Sequence, residues 1–225
     1  MNAKNLIREE QIASIENSIR EAETKTGAEI VCAVATESGR YDRAESIFGL
    51  IGALLALAGG HLVAQTIDNE GLWSAPADLS LLVQTGLLTG GFLTGTILAS
   101  LSKSLRTFVV SQKEIDEEIQ RSAQIVLSNA ILASPRSAGA VLLYISVAER
   151  RASIVCDQLA MTALEQETLN VICTAMITQI KKKNITESLL TGVSQLTEHL
   201  SEKIPATENN PDELENHILL IHPRP

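Results

Sequence analysis

The chain has 225 residues, a net charge of -9 and 3% aromatic residues, a length with room for about one soluble domain beside any membrane segment. Its acidity excludes nucleic acid as a partner, because no basic surface is available to displace counterions from phosphates, and so few rings exclude a base-stacking platform. Three cysteines, Cys32, Cys156 and Cys173, form neither a CxxC pair nor a zinc spacing, so they are expected as small buried thiols in a reducing compartment.

The N-terminal stretch MNAKNLIREEQIAS is polar and charged. It lacks the apolar core and small-residue cleavage site of a signal peptide. Asn5 to Lys25 predicts an amphipathic helix: Ile12, Ile15, Ile19 and Ala22 recur at three- and four-residue steps, with Glu9, Glu16, Arg20 and Glu23 on the other face. Gly27 is placed to stop it. Ala28 to Thr36 follows as a nearly continuous apolar strand, the pattern of a strand covered on both faces.

Two apolar runs come next, Ile47 to Ile67 and Leu79 to Leu101, and neither holds Asp, Glu, Lys or Arg. Each reaches the roughly 20 residues that cross a bilayer as a helix. Two buried helices of a soluble core are the competing reading, but the rest of the chain is too small to cover them. Basic residues flank the pair: Arg40 and Arg43 before it, Lys103, Arg106 and Lys113 after it. The connector from Asp68 to Asp78 has no Lys or Arg and carries Asp68, Glu70 and Asp78, with Trp73 as an interfacial anchor. The basic bias predicts both flanks, and so both termini, on the cytoplasmic side. Gly49, Gly52, Ala56, Gly59 and Gly60 on the first run, and Gly86, Gly90, Gly91 and Gly95 on the second, suit a tight hairpin or a homodimer. His61, Gln65 and Gln84 are expected to make interhelical or interfacial hydrogen bonds, since two helices cannot enclose a transport route.

After the runs, Ser111 to Ala133 predicts a helix with Ile115, Ile119, Ala123, Val126 and Leu127 on its apolar side, ended by Pro135 and Gly139. Ala140 to Val147 is a buried strand, Ala148, Glu149 and Arg150 a tight turn, and Arg151 to Asp157 a returning strand. So short a connection forces an antiparallel hairpin. Two helices follow. Glu165 to Lys182 carries Leu169, Ile172, Cys173, Met176 and Ile180 on one side; Ile185 to Leu200 carries Leu189, Leu190, Val193, Leu196 and Leu200. The expected result is a small α/β sandwich with one strand from before the apolar hairpin and at least two from after it. One strand and one helix cannot bury their own apolar faces, so both halves must meet on one side of the bilayer. The domain reading is therefore 1–46 for the first part, 47–101 for a transmembrane hairpin (47–67 and 79–101), 102–204 for the second part, and 205–225 for an acidic tail. In that tail Ile218 to Ile221 reads as a short edge strand or packed segment, and His217 and His222 as parts of a solvated or docked tail.

Few residues suggest chemistry. Arg150 and Arg151 at the hairpin tip are a candidate phosphate grip or a contact for anionic lipid headgroups, with a solvated turn as the plain reading. Lys181, Lys182 and Lys183 end a helix, where cations complement its dipole, and Asp116, Glu117 and Glu118 read as a solvent face. No Walker loop, GxSxG or HExxH motif occurs.

Three segments, TGAEIVCAVATESGRYDRAE (Thr26 to Glu45), GAVLLYISVAERRASIVCDQLA (Gly139 to Ala160) and NPDELENHILLI (Asn210 to Ile221), resemble the TPM domain family, most closely its bacterial integral-membrane branch. The resemblance implies an α/β/α sandwich with a small mixed sheet, interrupted by a two-helix transmembrane hairpin, in the cell inner membrane as a multi-pass protein. Some soluble relatives are described as acid phosphatases or calcium binders. Many carry a Gly-rich turn of the form GxGxE or DxG after the hairpin's second strand. Here that position reads Cys156, Asp157, Gln158, Leu159 and Ala160. Asp157 matches the acidic position and is the candidate ligand for calcium or another divalent cation; the glycines are absent. Calcium takes six or more oxygens, and the nearest further carboxylates are Glu165 and Glu167. The expected function is a membrane-anchored cytoplasmic scaffold or interaction module, serving assembly or quality control of a membrane complex through a membrane-protein partner or a homo-oligomer. The alternative is a divalent-cation-dependent, phosphatase-like hydrolase using Asp157.

Overall fold

The computed structural model describes residues 3–39, 42–68, 79–101, 110–133, 139–206 and 218–225. The contacts divide the chain into two units, Met1–Gly39 with Lys113–Pro225, and Arg40–Gln112. The first unit holds α1 (Glu9–Glu23), β1 (Ile30–Ala35), α4 (Gln112–Ala133), β2 (Val141–Ser146), β3 (Arg151–Cys156), α5 (Gln158–Ala163), α6 (Gln166–Lys181), α7 (Ile185–Lys203) and β4 (Leu219–Ile221). The second holds α2 (Asp42–Asp68) and α3 (Leu81–Leu101).

The four strands make one mixed sheet in the order β3-β2-β1-β4. β1 runs parallel to β2, with Ile30 opposite Val141 and Ala35 opposite Ser146. It also runs parallel to β4, with Ala33 opposite Leu219, while β2 and β3 form the antiparallel hairpin. Every residue of β1 and β2 is buried, which explains their unbroken apolar sequences. Ile30, Cys32, Val34, Leu143 and Ile145 share one core with Ile15 and Ile19 of α1, Ile172 and Met176 of α6, and Leu189, Leu196 and Leu200 of α7. Each such fully buried aliphatic side chain contributes about 1.5–3 kcal/mol relative to exposure. Leu142, Tyr144 and Ser146 alternate to the other face, where Ser122 of α4 reaches across to the Ser38 carbonyl at 3.2 Å. Helices thus lie on both sides of the sheet, an α/β/α sandwich. Gly192 lets α7 come close, since a Cβ there would meet the Met176 sulfur at 2.8 Å and Leu143 at 3.3 Å.

Two local differences from expectation have physical causes. α1 starts at Glu9 rather than Asn5 because Ala3–Asn5 is a separate 3-10 turn: Ala3 is fully buried and its N–H donates to Thr36 Oγ1 at 2.9 Å. Arg8 is then the extended cap residue, with its N–H bonded back to Gln11 Oε1 at 2.9 Å. The short α5 was not expected; Asp157 caps it, accepting from Ala160 N–H at 2.8 Å.

In the second unit α2 and α3 are long and apolar enough to cross a membrane. They pack antiparallel through small residues. Gly52 lies against the backbone of Gly91, Gly95 against that of Phe48, and Gly49 under Phe92 and Thr96. Close backbone approach of this kind is what small residues permit. Gly59, Gly86 and Gly90, read from spacing as part of the same contact, instead face open space within this unit. Gln84 and the threonines of α3 bond locally. Gln84 Nε2 donates to the Leu79 carbonyl at 2.8 Å, where a bond to the other helix was also open, and Thr85 and Thr89 donate one turn back at 2.8 Å. Large apolar side chains stay exposed on both helices, among them Leu55 at 68% and Leu82 at 87%. The connector residues Glu70, Trp73 and Asp78, the flanking Arg40, Lys103 and Arg106, Pro135 and His217 lie outside the described residues, as do the side chains of Arg43 and Asp68.

Candidate functional site

Ligands of open α/β sheets gather at the carboxyl ends of parallel strands. Here β1, β2 and β4 end together and bring Thr36, Ser38, Ser146, Glu149 and His222 to one edge. Glu149, in the turn after β2, reaches back over it: one carboxylate oxygen accepts the Ser38 N–H at 3.2 Å, the other the Ser146 hydroxyl. The Tyr144 and Ser38 hydroxyls bond at 2.9 Å. Thr36 Oγ1 lies 2.9 Å from His222 Nδ1, which ties β4 to β1. Burial, opposed by the Ser38 hydrogen bond and reinforced by the Glu149 charge, pushes the Tyr144 phenol up to about 12. The arrangement braces the strand ends; its hydroxyls and carboxylate are engaged with one another.

The thiols are held protonated. Burial, with Glu23 nearby, drives Cys32 well above its ordinary value. Burial and the Asp157 charge raise Cys156 to about 12, and burial raises Cys173 to about 11. Thiolate is the nucleophilic form, so none of the three is poised to attack.

The residues singled out from the sequence fall at two ends of β3, six residues or about 20 Å apart. Arg150 sits at the turn with φ 54° and is exposed. Arg151 pairs with Asp116 of α4 at 3.3 Å, so the two arginines do not present one shared fork. At the far end both Asp157 oxygens accept backbone N–H groups, from Ala160 at 2.8 Å and from Gly139 at 2.7 Å. Gly139 has φ 85°, a conformation glycine adopts without strain. Asp157 thus fastens the start of α5 to the start of β2. Glu165 is the residue before α6 and Glu167 lies in its first turn. Among the described residues no three His, Cys, Asp or Glu side chains gather as a metal would need.

The strand-end cluster went unread in the sequence because Tyr144 looks like one more core residue and its partners Ser38 and Ser122 belong to distant segments. The available signal was the hydroxyls at or just past the ends of apolar strands, Thr36 and Ser38 after β1 and Ser146 closing β2. A cavity of about 500 Å³ was also unread. It follows β3 between α4 and α6, with Asp116 and Asp157 among its lining.

No protein-family model matches the chain, and no curated protein matches it. Among solved structures, the NMR structure of the BA42 protein from the psychrophilic bacterium Bizionia argentinensis is similar, with a TM-score of 0.55 and 15% identity over 95% of this chain and 94% of that one. At that identity the likeness concerns the fold: this chain shares the α/β architecture of BA42.

Proposed function

We propose that the chain is a membrane-anchored interaction module of the TPM type, in the cell inner membrane, with its α/β unit and both termini in the cytoplasm, serving assembly or quality control of a membrane complex. The observation that carries the reading is the pairing of β1 with β2. These strands flank α2 and α3 in the sequence, so a hairpin that crosses the bilayer must return to the side it left. Lys and Arg on both flanks, and none in the connector, support the cytoplasm as that side. The exposed leucines of α2 and α3 suit lipid, where burying apolar surface is favourable and backbone groups are satisfied within the helix.

A binding role rather than a hydrolytic one is supported by the strand-end groups, which are spent on bracing. A divalent-cation hydrolase centred on Asp157 would have to draw its carboxylate away from the Gly139 and Ala160 N–H groups. The test is turnover of p-nitrophenyl phosphate by the purified chain, with and without calcium or magnesium. The module reading expects no turnover above buffer. Metal-dependent turnover that disappears in Asp157→Asn overturns it in favour of the hydrolase.

A further inference from the structure

β3 is an outer strand of the four-stranded sheet, and the register decides which of its backbone groups remain over. The Asp157 N–H donates to the Ala140 carbonyl at 2.9 Å, and hydrogen-bonded pairs recur at every second residue of an antiparallel ladder. Arg151, Ser153 and Val155 therefore bond to β2, opposite Ser146, Tyr144 and Leu142. Ala152, Ile154 and Cys156 turn their N–H and C=O groups to the outer edge. Such a row is a template for another strand.

This edge lies at the bottom of a groove. α4 and α6 wall the cavity of about 500 Å³ that runs along it, a size in the range of ligand-binding clefts. Ile154, Val155 and Cys156 are at most 9% exposed although their strand is outermost. The walls carry uncharged amides, Gln120 and Gln124 on α4, Gln166 and Asn170 on α6; the two carboxylates that also line it are engaged within the chain, Asp116 with Arg151 and Asp157 with the Gly139 and Ala160 N–H groups. Carboxamides offer donors and acceptors together, a match for peptide backbone rather than for phosphate or a cation. Cys173 of α6 lines the same cavity beside Ile154, and its sulfur is a weak hydrogen-bond partner that an incoming carbonyl would improve on.

We propose that this groove takes an extended peptide segment of a partner protein, uncharged where it passes between the amides, as a further strand paired to β3. The proposal rests on the interaction-module reading and gives that module its docking site. A second copy of this chain fits less well. Its own β3 edge is recessed between the same two helices, and two recessed edges cannot reach backbone contact before those helices collide.

The test displays random heptapeptides against the full chain in lipid nanodiscs, then measures the enriched peptides on wild type and on Asn170→Arg. Asn170 is exposed, so the longer charged side chain obstructs the groove without entering the core. The expected result is binding that falls by about tenfold or more on Asn170→Arg and on N-methylation of alternate peptide residues, with slowed amide exchange at Ile154 when peptide is bound. No enrichment over empty nanodiscs overturns the proposal. So does binding indifferent to both changes, or self-association of the chain that Asn170→Arg abolishes. Each of these leaves the module reading standing; phosphate-ester turnover is what overturns that reading.

Discussion

Ile30 and Val141 are register partners in adjacent parallel strands, although two helices apolar enough to cross a membrane separate them in the sequence. The sheet is complete only when the chain on both sides of those helices comes together. Insertion of the hairpin between β1 and β2 costs little in loop closure, because that entropy grows only slowly with length, and the register holds because both faces of these strands are buried.

The α2–α3 contact separates two kinds of glycine on α3. Gly91→Ala and Gly95→Ala place a methyl against the backbone of α2 and force the helices apart, so both variants are expected to lower the thermal stability of the hairpin in detergent. Gly86→Ala and Gly90→Ala meet nothing within 4 Å. They are expected to leave stability unchanged or to raise it by about 0.5–1 kcal/mol through helix propensity. Equal losses at all four positions would contradict the observed contact.

Glu149 and Tyr144 brace the strand ends to different degrees. Glu149→Gln puts an amide where two donors now converge, from Ser38 and Ser146, and is expected to cost about 1–3 kcal/mol in chemical denaturation. Tyr144→Phe removes one hydroxyl from the Ser38 contact and should cost about 1 kcal/mol. Arg150→Gly, at a left-handed exposed position, should be neutral or stabilising by up to about 1 kcal/mol.

Asp157 is expected to act through stability. Asp157→Ala removes the α5 cap and the Gly139 tether and should cost about 1–2 kcal/mol. Calorimetric titration with calcium should give the same small heats for wild type and variant. A calcium-dependent rise in melting temperature confined to wild type would instead make Asp157 a metal ligand.

High pH should unfold the α/β unit early. Cys32, Cys156, Cys173 and Tyr144 all have raised values in the folded chain, mainly through burial. An acid whose folded value is raised contributes its full stability below its unfolded value and loses it as pH climbs toward the folded one. For thiols the loss begins near the ordinary 9.0 and for Cys173 ends near about 11. Melting temperature should therefore hold steady to about pH 8 and fall above about pH 9, less steeply in Cys173→Ala. A profile that is flat to about pH 11 would contradict these thiols being held protonated.

Much of the fold was legible because its signals are local. Continuous apolar runs marked β1 and β2, the short link through Ala148, Glu149 and Arg150 marked the hairpin, and helical spacing marked α1, α4, α6 and α7. What the sequence hid is mostly nonlocal. Four-residue spacing puts two glycine stripes on α3 and does not say that Gly91 and Gly95, rather than Gly86 and Gly90, meet α2. Ala3 shortens α1 by docking onto Thr36, a partner from the far side of a helix. Arg151 reads as one of a pair with its neighbour Arg150, while its bonded partner Asp116 lies one helix earlier. For Asp157 the cap onto Ala160 is three residues away and readable; the Gly139 tether crosses the β2–β3 hairpin and is not.

The arrangement of the chain about the membrane is tested most directly by labelling single added cysteines in intact spheroplasts with a membrane-impermeant maleimide. Lys25→Cys and Lys203→Cys place exposed thiols on the α/β unit before and after the hairpin, and Glu70→Cys places one in the connector. Lys25→Cys and Lys203→Cys are expected to react only after the membrane is opened, whereas Glu70→Cys is expected to react from outside. Labelling of either flank in intact spheroplasts, or protection of the connector there, would contradict that arrangement.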